Sequence, residues 1–133
     1  MEHASLRLHH LALGARDVER VAAFYRDVFG LLETARHHRP DGTLRSIWLD
    51  LGGATLMVEA SFDAPRRVEG VASGPFLLAF RAPAARISEL ENALEAAGAA
   101  IELRTEYTSY ARDPEGNRVA ISSYPEPSAG PRS

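Results

Sequence analysis

Gly30 and Gly98 stand 68 positions apart (98 − 30), and each closes a stretch built to the same plan. Before Gly30, the apolar residues Val18, Val21, Ala22, Tyr25, Val28 and Phe29 recur at three- and four-residue steps. Before Gly98, Ile87, Leu90, Ala93, Leu94 and Ala97 do the same. This spacing makes an apolar stripe on a helix, and a terminal glycine supplies the left-handed stop. A strand precedes each helix, and laying His10 over Leu77 gives nearly the same offset. The chain is therefore an internal repeat. One strand-helix-strand-strand-strand unit leaves half its sheet uncovered and an edge unpaired. Two units should pair to share a core, within the chain or across a dimer.

Within the first unit, Leu6, Leu8, His10 and Ala12 alternate with Arg7, His9, Leu11 and Leu13, so the neighbouring histidines are expected on opposite faces. Gly14 is expected to break that strand, and Asp17 to cap a helix starting at Val18. Strands follow over Glu33 to His38, Leu44 to Leu51 and Ala54 to Glu59, joined by Pro40-Asp41-Gly42 and Gly52-Gly53. On the middle strand Ser46, Trp48 and Asp50 share one face; on the last, Thr55, Met57 and Glu59 do. The second unit reads as strand Phe76 to Arg81, helix Ala84 to Ala97, and strands Ile101 to Arg104, Tyr107 to Arg112 and Arg118 to Tyr124. Asp113 to Asn117 turns the last pair.

The expected organisation is one domain over residues 1–124, with a first module at 6–59, a linker at 60–75 and a second module at 76–124. Residues 125–133, rich in proline and serine, are expected to be disordered. At 133 residues the chain can core one domain or two modules that share a core. A net charge of −3 gives no basic stripe for nucleic acid, and the absence of cysteine excludes thiolate chemistry and disulfides. No segment has the length or apolarity of a signal peptide or a membrane span, so a cytoplasmic protein is expected.

Three segments carry a family resemblance: LHHLALGARDVERVAAFYRDVFGL at Leu8 to Leu31, IWLDLGGATLMVE at Ile47 to Glu59, and YARDPEGNRVAI at Tyr110 to Ile121. Together they resemble the vicinal oxygen chelate superfamily, which includes glyoxalase I, methylmalonyl-CoA epimerase, fosfomycin-resistance transferases, extradiol dioxygenases and bleomycin-resistance proteins. The resemblance implies an α+β fold of two βαβββ modules, whose curved sheets line a cleft with the helices packed outside. It also implies metal ligands on four cleft-facing strands. Carried over by position, these are His10, Glu59, Leu77 and Ala120.

Hydrocarbon thus stands at two of the four implied ligand positions. A dioxygenase needs two histidines and a carboxylate, and of its matched positions His10, Leu77 and Ala120 only His10 is a ligand type. A glyoxalase or epimerase needs all four, and Ala120 removes the base that the resemblance implies. His10 and Glu59 alone make half a site, and His37, His38, Glu106 and Tyr110 are the available recruits. Otherwise His10 is a cleft histidine hydrogen-bonded to a neighbour such as Glu59.

The expectation is a bleomycin-resistance-like protein that binds a small organic molecule in a homodimer cleft, with no cofactor. Its candidate cleft residues are His10, Trp48, Glu59, Leu77, Tyr107, Tyr110 and Ala120. Two alternatives stand beside it. One is a glyoxalase- or epimerase-like lyase or isomerase with an altered ligand set and a divalent metal such as zinc, nickel, manganese or iron. The other is a non-catalytic dimeric scaffold. Arg36, Arg39 and Arg45 are read as a solvated hairpin tip rather than an anion site.

Overall fold

A computed structural model describes residues 6–128. Contacts divide the chain into two compact units. The first runs to Arg26 and resumes over Gly30–Ala64; the second takes Asp27–Phe29 and the chain from Pro65 onward. The architecture is α+β, with two four-stranded sheets of identical plan. No helix among the described residues is long and apolar enough to cross a membrane.

In the first unit the order is β1 (His10–Ala15), α1 (Val18–Phe29), β2 (Glu33–His38), β3 (Leu44–Asp50) and β4 (Thr55–Ala60). The sheet runs β1-β4-β3-β2, with β1 parallel to β4 and the other pairs antiparallel. Helix α1 begins where Asp17 accepts the backbone N–H of Arg20 at 3.0 Å. It ends at Gly30 in the left-handed region, φ 69°. Its stripe residues Val21, Ala22 and Tyr25 are fully buried, as are Ile47, Leu49, Leu56 and Val58 on one face of the sheet. Arg36, the register partner of Ile47, pairs with Glu19 of α1, which fixes the face that the helix covers. Burying each of these large side chains contributes about 1.5–3 kcal/mol.

Two expectations for the first strand change. Leu6 and Leu8 are exposed and precede the strand, which starts at His10. Gly14 does not break β1 but pairs with Glu59 inside it. A Cβ at Gly14 would stand 3.3 Å from that of Ser61, so glycine here accommodates a close neighbour rather than a turn.

The second unit repeats the plan with β5 (Leu78–Arg81), α2 (Ile87–Ala96), β6 (Leu103–Arg104), β7 (Thr108–Arg112) and β8 (Arg118–Ser122), in sheet order β5-β8-β7-β6. Its strands are shorter than the sequence pattern suggests: Phe76 and Leu77 lie outside β5, and Ile101 lies outside β6. The expected helix over 84–97 opens as a 3-10 turn, Ala84–Arg86, before α2. Arg86 at its start makes no side-chain cap, so the first turn lacks the acceptor that Asp17 gives α1. The expected disordered tail is anchored over its first residues, where Ser128 donates backbone N–H and hydroxyl to the Glu106 carbonyl at 3.1 and 3.2 Å. Residues 129–133 lie outside the described residues.

Candidate functional site

The face of the first sheet turned away from α1 carries three rows of side chains set by strand register. His37, Ser46, Glu59 and Gly14 form one row across β2, β3, β4 and β1. Ala35, Trp48, Met57 and Ala12 form the next, and Asp50, Thr55 and His10 the third. Alternation on the strands puts these residues on one face, and pairing sets which stand side by side.

Three polar atoms on this face are buried with no hydrogen-bond partner among the described residues: His37 Nε2, Ser46 Oγ and Trp48 Nε1. Ser46 is fully buried. The His37 and Trp48 rings lie 4.5 Å apart at 58°. A buried polar group without a partner costs about 1–3 kcal/mol, so three on one patch mark a surface not optimised for stability alone.

Register also separates the two surviving metal-type residues. His10 pairs with Thr55, whereas Glu59 pairs with Gly14, four positions further along the same parallel ladder. At 3.3 Å per residue that is about 13 Å of strand, while two ligands of one zinc ion each sit about 2 Å from it. The hydrogen-bond neighbour of His10 is His9, with Nδ1 atoms 2.9 Å apart. The expected opposite orientation fails because β1 begins at His10, and strand alternation does not bind the residue before it.

The repeat sharpens this point. Ala120 pairs with Ala79, two residues beyond Leu77. In the first unit the residue two beyond His10 is Ala12, and its partner is Met57. If Ala120 marks the carboxylate position of one module, Met57 rather than Glu59 occupies it in the other; Glu59 corresponds to Ser122, the partner of Arg81. The His10–Glu59 pair therefore does not fit a metal ion. Among the described residues no group of three or more His, Asp or Glu side chains is placed to hold one.

In the second unit, Tyr110, Ala120 and Ala79 form a row, and the Arg118 guanidinium carbon sits 5.1 Å from the centre of the Tyr110 ring. Leu77 is half-buried just before β5. Tyr107 does not join Tyr110: it precedes β7 and packs edge-on against Tyr124 at 5.0 Å. The Glu106 charge beside it holds its phenol above the ordinary range. On the opposite face, buried Ser109 donates to Glu91 of α2, which also receives Arg104 at 3.0 Å.

The remaining charged candidates are engaged elsewhere. Arg36 donates to Glu33 and pairs with Glu19; its hydrogen bond holds the Glu33 carboxyl below the ordinary range. Arg39 bonds Thr43 and lies 5.5 Å from the Phe62 ring centre. His38 is exposed. A shallow cleft of about 310 Å³ at the start of β1 is lined by Arg7, Leu8, His9, Asp50, Gly53, Ala54 and Thr55, and includes none of the orphaned atoms. Sequence reasoning missed Ser46 as a site residue and weighed His37 only as a metal recruit. The available signal was parity, which already set Ser46 on the same strand face as the cleft candidate Trp48.

The family model described as Glyoxalase/Bleomycin resistance protein/Dioxygenase superfamily matches residues 7–121. A comparison with curated protein sequences finds no match. Among solved structures, lactoylglutathione lyase from Agrobacterium tumefaciens is 24% identical with a TM-score of 0.65, over 92% of this chain and 96% of that one. A glyoxalase family protein from Enterococcus faecalis is 25% identical with a TM-score of 0.70, over 88% and 97%. A mutant of the fosfomycin resistance protein FosX from Listeria monocytogenes, complexed with Mn(II) and dihydroxypropylphosphonic acid, is 15% identical with a TM-score of 0.76, over 90% and 94%.

Proposed function

Because the chain belongs to the glyoxalase/bleomycin resistance protein/dioxygenase superfamily, we propose that it binds a small organic molecule, without a metal, against the face of its first sheet turned away from α1. The observation that carries this reading is the pairing of β1 with β4. It sets Met57, not a carboxylate, in the row next to His10, and carries Glu59 four positions away from it. Hydrocarbon at Leu77 and Ala120, and a soft thioether rather than a carboxylate at Met57, favour an organic ligand over a hard divalent cation.

In this reading Trp48 and Met57 supply apolar contact, and the half-buried Glu59 supplies a polar anchor. Tyr110, Leu77 and Ala120 are the corresponding residues of the second module, and the chain is expected to form a homodimer. A C2 dimer also covers exposed sheet edges. A dimer in light scattering at micromolar concentration agrees with this; a monomer contradicts it.

A metal-dependent lyase or isomerase is the second reading, favoured by the likeness to lactoylglutathione lyase and to a FosX that holds Mn(II). It requires His10 to find partners other than Glu59. The two readings separate in a fragment screen run with chelator present and read on the indole N–H signal of Trp48, the sole tryptophan. Organic fragments that move this signal support metal-free binding. Fragments that move it only after a divalent metal is added overturn it.

A further inference from the structure

Arg112 and Arg118 are register partners across β7 and β8, and the second unit treats them in opposite ways. Arg112 is surrounded by acceptors: Glu102 at 3.1 Å, Glu69 at 3.2 Å and the Gly116 carbonyl at 3.0 Å. Arg118 has none. Its guanidinium carbon sits 5.1 Å from the centre of the Tyr110 ring, and its side chain makes no hydrogen bond or ion pair with any described residue. Arg118 as a whole is half-buried, and of its side-chain nitrogens only Nε is enclosed without a partner. The two terminal Nη groups therefore keep access to the surface. Glu69 and Glu102 are shared between Arg112 and Arg67, so neither is free for Arg118. Around the guanidinium the face is apolar and open: Ala79 is exposed, and Tyr110 and Leu77 are half-buried.

A guanidinium cannot shed its proton to relieve partial burial, so Arg118 stays a cation without a counter-charge. Contact with a phenol ring attracts it modestly and leaves its in-plane donors unoccupied. Those donors form a planar fork that matches the two oxygens of a carboxylate. We propose that Arg118, set against Tyr110, anchors a binding site for an organic carboxylate on the second sheet. The two carboxylate oxygens accept from the two Nη groups, and the apolar body of the ligand lies against Ala79 and Leu77. A carboxamide offers one acceptor and no charge, an ammonium is repelled, and inorganic phosphate has charge without an apolar body. This site stands on the second unit alone and does not rest on the binding role given to the first.

The test titrates benzoate, benzamide, benzylamine and inorganic phosphate separately into the full chain, following the side-chain Nε–H signal of Arg118 by NMR. Benzoate is expected to move this signal and to bind at least about tenfold more tightly than benzamide or benzylamine, the step from a neutral to a charge-assisted pair. Phosphate binding as tightly as benzoate overturns the carboxylate class. In variants, affinity is read from the ring protons of benzoate. Arg118→Gln should weaken it at least about tenfold, and Arg118→Lys should recover only part, because an ammonium lacks the planar fork. Arg81, exposed and paired with Ser122 four positions along the same ladder, lies about 13 Å away and is the control. Arg81→Gln should change benzoate affinity by less than about twofold. Equal losses in Arg81→Gln and Arg118→Gln reduce the effect to net charge and overturn the site. Should Arg118→Gln fail to fold, the ligand series on the unaltered chain decides. Benzoate that leaves the Arg118 signal unmoved, or binds no better than benzamide, overturns the proposal and leaves the role of the first sheet untouched.

Discussion

Ser46 and Ser109 sit on central strands of equivalent sheets, and both are fully buried. Ser109 donates to Glu91, which also holds Arg104, so the second sheet ties its buried hydroxyl to its own helix. Ser46 faces away from α1, and its hydroxyl has no partner among the described residues. Ser109 faces its helix, and the register counterpart of Ser46 is Thr108, which donates to Ser122 at 2.8 Å; the position that is satisfied in the second module is left unsatisfied in the first. Unsatisfied buried groups persist in a fold when something other than folding requires them. Among the described residues the first sheet carries three such atoms and the second carries one, Arg118 Nε, beside the Tyr110 ring.

Substitutions can break this comparison. The largest effect is expected from Glu91→Ala, which strands the Ser109 hydroxyl and releases Arg104; urea denaturation should show a loss of about 2–4 kcal/mol. Ser109→Ala should cost about 1–2 kcal/mol, whereas Ser46→Ala should leave stability unchanged or raise it by up to about 1 kcal/mol. Equal losses at the two serines would erase the distinction between the modules. Asp17→Ala should cost about 1 kcal/mol by removing the cap of α1. No matching loss is expected from Arg86→Ala, because α2 has no side-chain cap to lose.

The smallest effect concerns acid. Hydrogen bonds from the Thr43 hydroxyl and backbone N–H hold the Asp41 carboxyl below its ordinary value. Its contribution is therefore complete above the ordinary carboxylate range and is lost as pH falls through the lowered value. Asp41→Asn should flatten the fall of the thermal midpoint between about pH 5 and pH 2, slightly because the turn is exposed. An unchanged acid limb would remove Asp41 from the account.

Much of this fold was legible in the residues, and its limits follow from what periodicity encodes. Helical stripes, the Asp17 cap, the Gly30 stop and the Gly52-Gly53 hairpin are local, and each is present. Parity was legible as well: Ser46 and Trp48 share a face of β3, and Met57 and Glu59 a face of β4, as their alternation implies. Register was not, because a slip of two residues leaves every side chain on its face. That is why Glu59 and Met57 are interchangeable to a sequence pattern but not to a ligand. The orphaned state of Ser46 was invisible for a related reason, since it depends on what strands distant in sequence bring alongside.

The central claim is that His10 and Glu59 do not form a metal centre and that the first sheet binds its ligand without one. Elemental analysis of protein purified without chelator, and without a metal-binding tag, tests it most directly. The account predicts less than about a tenth of an equivalent of zinc, nickel, manganese or iron per chain, the residue expected of a site lacking three protein ligands. Close to one equivalent, lost in His10→Ala, would contradict it.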